Sequence, residues 1–140
     1  MIIPPARTVD KWGRGDYLAP RERNGVKYQH KGVDFAVYPD SVILAPCDCV
    51  IERIGLPYSD KKRSNYKLMV LRVDQQTVIK IMYIWPIVSA RSFIKKGKPI
   101  GLSQDLTLIY DGITNHYHLE VIIEGQHVNP KLWLYKRGMI

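Results

Sequence analysis

The sequence predicts an all-β fold, a mainly antiparallel sheet with a groove, on three observations. Runs rich in β-branched and aromatic residues recur along most of the chain, turn-forming clusters separate them, and no stretch shows a convincing helical period. At 140 residues, 46% hydrophobic and 24% charged, the chain suffices for one core and is short for two. One domain over 1–140 is therefore expected, with a body at 30–134 and an arm at 1–29.

Taken in order, residues 1–29 contain Pro4, Pro5, Pro20 and several glycines without a period, which predicts loop wrapped on the body. Strands are expected at 33–37 (VDFAV), 41–46 (SVILAP), 49–54 (CVIERI), 66–73 (YKLMVLRV) and 77–84 (TVIKIMYI). Asp74-Gln75-Gln76 makes a tight hairpin between the last two, and 58–65 (YSDKKRSN) makes a longer polar loop. Residues 94–101 read as a turn on Gly97 followed by a short strand. Cys47 and Cys49 are too close for ordinary disulfide geometry, and C-x-C alone is weak evidence for zinc, so both are expected to be small buried residues.

The last strand, in NHYHLEVIIEG (115–125), carries the chemistry. Alternation turns His116, His118, Glu120 and Ile122 to one face and Tyr117, Leu119, Val121 and Ile123 to the other. The apolar face suits a core and the two imidazoles suit a cleft. A second cluster, His30 and Asp34 in YQHKGVDFAV, stands at the mouth of another apolar run, with Gly32 between them allowing a sharp bend. H-x-x-x-D alone is weak and reads equally well as surface polarity. Combined with the paired histidines it completes an imidazole, carboxylate, imidazole set. Three protein ligands leave zinc a fourth position for water, whose pKa the ion lowers toward about 7. One strand histidine then binds the ion while its neighbour handles a proton.

The balance of 21 Lys+Arg against 13 Asp+Glu, net +8, favours anionic surfaces such as a cell wall. The charges are scattered, and no compact basic helix or aromatic-basic strand appears, so specific nucleic-acid readout is not expected. No run approaches the roughly 20 apolar residues of a membrane span, and MIIPPARTVDKWG lacks the pattern of a secretory signal. The expectation is a mature form or another route out of the cell. Arg14-Gly15-Asp16 reads as a chance tripeptide, and His127 as exposed and inert.

HKGVDF, YIWPI, IKKGKPIG and HYHLEVIIEGQHVNP, in this order, resemble the lysostaphin-type zinc endopeptidases (LytM-like domains), whose pattern runs HxGxD, tyrosine-any-histidine, KKGxxIG and HLHFE…VNP. The likeness extends from His30 beyond Pro130. It implies a groove-bearing β fold, Zn2+ as cofactor, cleavage of peptide bonds in bacterial peptidoglycan, and action outside the cytoplasm on the cell wall, secreted or periplasmic; the absent secretory pattern and the bare single domain fit a phage-borne wall enzyme as well. It implies His30, Asp34 and His118 as metal ligands, His116 as catalytic histidine, and Glu120 as support. One position departs: Tyr83-Ile84-Trp85 puts an indole where the family supplies a second catalytic histidine. An indole cannot take up a proton, so at most oxyanion stabilisation survives there. VIKIMYIWPI and IYDGITNHYHLEV are also similar to the leukocyte cell-derived chemotaxin-2 branch of this fold, signalling proteins regarded as non-peptidases, which implies an inactive zinc-stabilised module as the alternative. The upstream WGRGDYLAPR is similar to the arm of that branch, and Tyr17 and Tyr28 are placed near the cleft.

Overall fold

The computed structural model describes residues 4–138; residues 1–3, which open the segment read for an export signal, and 139–140 lie outside the described residues. The strands are β1 (Pro20–Arg23), β2 (Val26–Gln29), β3 (Val33–Ala36), β4 (Val42–Leu44), β5 (Cys49–Gly55), β6 (Leu68–Arg72), β7 (Thr77–Met82), β8 (Ile84–Pro86), β9 (Phe93–Ile94), β10 (Pro99–Ser103), β11 (His116–Ile123) and β12 (Gln126–Val128). A short helix, α1 (Pro130–Lys136), follows. The fold is all-β and antiparallel, as expected.

The main sheet runs β12-β11-β7-β6-β5-β9, and β3 pairs with the first half of β11 on the side where β12 pairs with its second half. A second sheet, β4-β10-β8, packs beside it. Alternation holds through the central strands: Ile79 and Ile81 of β7, Met69 and Leu71 of β6, and Leu119 and Val121 of β11 are sealed in one core with Phe35, Ile84, Ile100 and Leu134. Gly101 lets β10 press against β8, since a Cβ there would fall 2.4 Å from the Ile84 side chain. The hairpin at 74–76 is present, its Asp74 carboxylate accepting the amides of Gln76 and Thr77. Cys47 and Cys49 are buried free thiols whose pKa values burial pushes up to about 11 and about 12.

Three expectations need correction. The arm is not all loop: β1 and β2 form a hairpin closed by Asn24 and Gly25, both with positive φ (52° and 79°), the two-residue turn that Asn-Gly favours. The chain also contains a helix. Asn129 caps α1 by accepting from Lys131 and Leu132 amides, Pro130 opens it, and Trp133 and Leu134 bury its inner face. Finally, the strand expected over 77–84 breaks at Tyr83, whose φ of 69° lies in the left-handed region. The chain leaves the main sheet there and enters the second one as β8. Among the described residues no helix is long and apolar enough to cross a membrane.

Candidate metal centre and active site

The register of β3 against β11 sets Asp34 directly opposite His118, and paired residues project to the same face. His30 arrives from the end of β2, its backbone exchanging hydrogen bonds with Leu18 and Ala19 in the arm. Gly32 serves close approach, not a left-handed bend: a Cβ there would lie 2.3 Å from the Leu119 carbonyl and 2.9 Å from the His118 ring. These constraints bring His30, Asp34 and His118 together at the floor of a cleft of about 440 Å³.

The hydrogen-bond partners of the two rings indicate what this trio suits. His30 Nδ1 is 2.9 Å from the Asp16 carbonyl, which only accepts, so His30 donates from Nδ1 and its Nε2 is bare. His118 Nε2 likewise donates to Glu120 at 2.8 Å, which directs Nδ1 inward. Nε2 of His30, Nδ1 of His118 and Oδ1 of Asp34 converge on one another at 3.1, 3.1 and 2.8 Å. Ligands bonded at about 2.0–2.2 Å to one tetrahedral ion would be spaced roughly 3.3 Å apart, close to this. Three converging lone pairs repel unless a cation or a proton lies among them. Burial alone would lower the His118 pKa, but hydrogen bonds to Asp34 and Glu120 outweigh it and raise it to about 9, so a proton fills that role in the ion-free chain. A metal ion must displace it. The donor set therefore fits zinc.

Around the trio lies a buried supporting shell. Asp34 Oδ2 accepts from Arg7 Nε at 3.2 Å and Nη2 at 3.0 Å, while Arg7 Nη1 holds both oxygens of Asp10. Asp10 in turn accepts the amides of Trp12 and Thr114. Burial would raise the Asp34 pKa, yet the surrounding contacts, led by the bond from His118 at 2.8 Å, hold it well below the usual carboxylate range. Glu120 uses its second oxygen to bind His127 Nε2 at 2.8 Å. Burial is outweighed here too, chiefly by His118, and Glu120 falls to about 2. His127 is thus a half-buried brace, contrary to the exposed, inert role expected of it. Arg14-Gly15-Asp16 is scaffolding as well: Gly15 bonds the backbones of Arg7 and Asp34, and Asp16 fixes the His30 tautomer.

His116 shares the cleft but stands apart from the trio. Its Nδ1 donates to the Thr114 carbonyl at 2.8 Å, leaving Nε2 bare, 3.6 Å from Asp34 Oδ2. Burial lowers its pKa against the pull of Asp34, which favours the neutral ring. Tyr83 meets it edge-on, ring centroids 5.7 Å apart.

The opposite wall is aromatic. Tyr83 Oη is 2.8 Å from Tyr58 Oη, Tyr110 donates to Tyr58 at 2.7 Å, and Arg63 donates to Tyr110 at 3.1 Å. Arg63 also lies over the Tyr58 ring at 3.8 Å. Trp85 is elsewhere. It is 52% exposed in a shallow groove with Ile54, Leu56 and Pro86, with the Lys67 ammonium 5.9 Å from its ring. The expectation that the indole retains part of an oxyanion role fails, because Ile84 turns into the core and Trp85, on the next step of β8, turns out. Tyr28 lines the cleft; Tyr17 packs on the core and donates to the His127 carbonyl instead.

Peptidase family M23 matches residues 28–130. The chain belongs to that family. M23 comprises zinc metallopeptidases, and its lysostaphin-like members are peptidoglycan peptidases. Over 114 residues the M23 chain is 35% identical to mouse (Mus musculus) leukocyte cell-derived chemotaxin-2, covering 81% of this chain and 71% of that one. Over 104 residues it is 34% identical to an uncharacterized metalloprotease of Haemophilus influenzae, covering 72% of this chain and 20% of that one. The fold is similar to the catalytic domain of the antimicrobial peptidase lysostaphin from Staphylococcus simulans, with a TM-score of 0.63, 21% identity and coverage of 91% and 92%. It is also similar to a zinc containing peptidase from Vibrio cholerae, with a TM-score of 0.64, 18% identity and coverage of 91% and 37%.

Proposed function

We propose that this chain is a zinc-dependent endopeptidase that hydrolyses peptide bonds in bacterial peptidoglycan, with His30, Asp34 and His118 as metal ligands and His116 as the catalytic histidine. The observation that carries this reading is His116: a buried imidazole whose Nδ1 is held by the Thr114 carbonyl and whose Nε2 faces the trio. A metal site that only braces a fold has no use for a third imidazole held off the ligand cluster.

Zinc held by the trio would supply Lewis-acid activation of water and of the scissile carbonyl. The chain's own groups do the rest. His116 Nε2 takes a proton from the attacking water and delivers it to the amide nitrogen as the C–N bond breaks. Glu120 fixes the His118 ring, and Arg7 fixes Asp34, so the ligands are oriented before substrate arrives. Arg21, Arg23 and Lys31 line the cleft and favour an anionic wall polymer. Its site of action is the cell wall, outside the cytoplasm, reached by secretion or from a phage particle.

Incubating the zinc-loaded protein with purified peptidoglycan and mass-analysing the released peptides tests this directly. New amine ends are expected. Their absence from protein that retains its zinc would favour a second reading, an inactive zinc-stabilised binding or signalling module. Trp85 supports that second reading, because it removes the family's second histidine, as does the 35% identity to chemotaxin-2.

A further inference from the structure

The aromatic wall opposite the trio carries chemistry of its own. Each phenol has one proton to give, and an arginine guanidinium only donates. Arg63 donates to Tyr110, so the single Tyr110 proton goes on to Tyr58. Between Tyr58 Oη and Tyr83 Oη either hydroxyl could donate, and in the arrangement that extends the series Tyr58, which accepts from Tyr110, gives its own proton to Tyr83. The cation at its end fixes the first two steps, and with Tyr58 as donor the third runs the same way. Tyr83 Oη is then left as the terminal hydroxyl, its own proton without an acceptor among the described residues, in a cleft it shares with His116 and the metal trio.

Two further features point the same way. Tyr83 adopts φ 69°, a left-handed conformation that is unfavourable for a non-glycine residue. Strain of that kind is held only where surrounding contacts fix it, and here Tyr83 N–H donates to the Lys67 carbonyl at 2.8 Å while its own carbonyl accepts from Gln104 at 2.9 Å. Donors in series also polarise one another, and Arg63 is itself locked by Asp60 at 2.9 Å.

We propose that the Tyr83 hydroxyl is the hydrogen-bond donor to the oxyanion that develops on the scissile carbonyl, and that Tyr58, Tyr110 and Arg63 are positioning residues that aim and polarise it. The proposal rests on the endopeptidase reading and deepens it. His116 moves the proton, Tyr83 steadies the negative charge, and Trp85 is not needed for either task.

Tyr83→Phe removes one oxygen and keeps the ring against His116. With zinc content unchanged, kcat on peptidoglycan fragments is expected to fall about 100-fold with KM within about twofold, the signature of a contact made only in the transition state. An independent readout is binding of an alanyl-alanine phosphinate, in which a tetrahedral PO2⁻ replaces the scissile amide. Calorimetry on the zinc-loaded proteins should show it held at least about tenfold more weakly by Tyr83→Phe than by the parent. Arg63→Met should lower kcat about tenfold and Arg63→Lys should restore most of that, a rescue that a merely structural role would not give. If the parent cleaves nothing yet binds the phosphinate better than Tyr83→Phe does, the donor stands and the peptidase reading falls. Equal phosphinate affinity in the two proteins, including no binding by either, overturns the donor, whatever the parent cleaves.

Discussion

His118 reaches the cleft as one step of a regular ladder; Tyr83 reaches it by leaving one. The metal wall is built on strand register: Asp34 opposite His118, with His116 and Glu120 two residues either side on the same face. The aromatic wall is built on an irregular backbone, from a left-handed residue between β7 and β8, a tyrosine and an arginine in the 58–65 loop, and Tyr110 from another loop. Register errors in a strand flip every side chain at once, so a ladder holds ligand positions tightly. A loop wall depends on individual hydrogen bonds and can be retuned one residue at a time. The candidate metal ligands Asp34 and His118 therefore sit on the ladder.

The sharpest break is expected on the metal wall. His118→Ala should cost the protein its zinc and all turnover, since it removes a ligand and leaves the carboxylates of Asp34 and Glu120 facing each other without the ring between them. Metal analysis of purified protein should give about one zinc per chain for the parent and none for the variant. Full zinc retention would remove His118 from the ligand set.

Next comes His116→Ala, which should leave metal content intact and lower turnover about 10²–10⁴-fold, the usual contribution of a positioned acid-base group. Steady-state cleavage of peptidoglycan fragments measures it. Unchanged turnover would show that another group carries the proton. This variant also separates the two histidines of the ladder, which share a face and for which different roles are proposed.

The metal wall was largely legible in the sequence because its determinants are periodic. Two-residue spacing gave His116 and His118 a common face, and the apolar alternate positions of β11 pack into the core as expected. What could not be read are the partners that fold back from a distance. Arg7 lies in a proline-rich stretch 27 residues from Asp34 and has no local pattern to mark it. His127 is positioned on Glu120 by the β11–β12 hairpin, which sets it opposite Ile122. Tyr83 was hidden by the assumption of one continuous strand, under which it and Trp85 would share a face. The left-handed step undoes that parity and sends one into the cleft and the other to the surface. The Asn24-Gly25 hairpin and the Asn129-Pro130 helix start carried readable signals, masked respectively by an aperiodic arm and by a helix of seven residues.

Arg7 tests how far the metal wall depends on the arm. Its side chain is 3% exposed and joins Asp10 to Asp34, so Arg7→Met leaves two buried carboxylates short of their cation. A loss of about 3 kcal/mol in stability is expected, read from chemical denaturation, together with roughly tenfold weaker zinc binding because Asp34 is no longer held. Stability and zinc affinity both equal to the parent's would mean that the body alone orders the site.

The smallest effect is predicted at the position where the family pattern places a catalytic residue. Trp85 is opposite Leu102 on β8, half exposed, next to Lys67 and outside the cleft lining. Trp85→Ala should therefore keep its zinc and stay within about twofold of parent turnover, as surface substitutions away from a site do. For the same reason Trp85→His should bring no gain, because an imidazole on that step of β8 would face solvent, and only a change in the backbone at Tyr83 could turn it inward. A tenfold loss in Trp85→Ala, or a clear gain in Trp85→His, would mean that the strand re-pairs during turnover and that the left-handed residue is a hinge instead of a fixed mount for the aromatic wall.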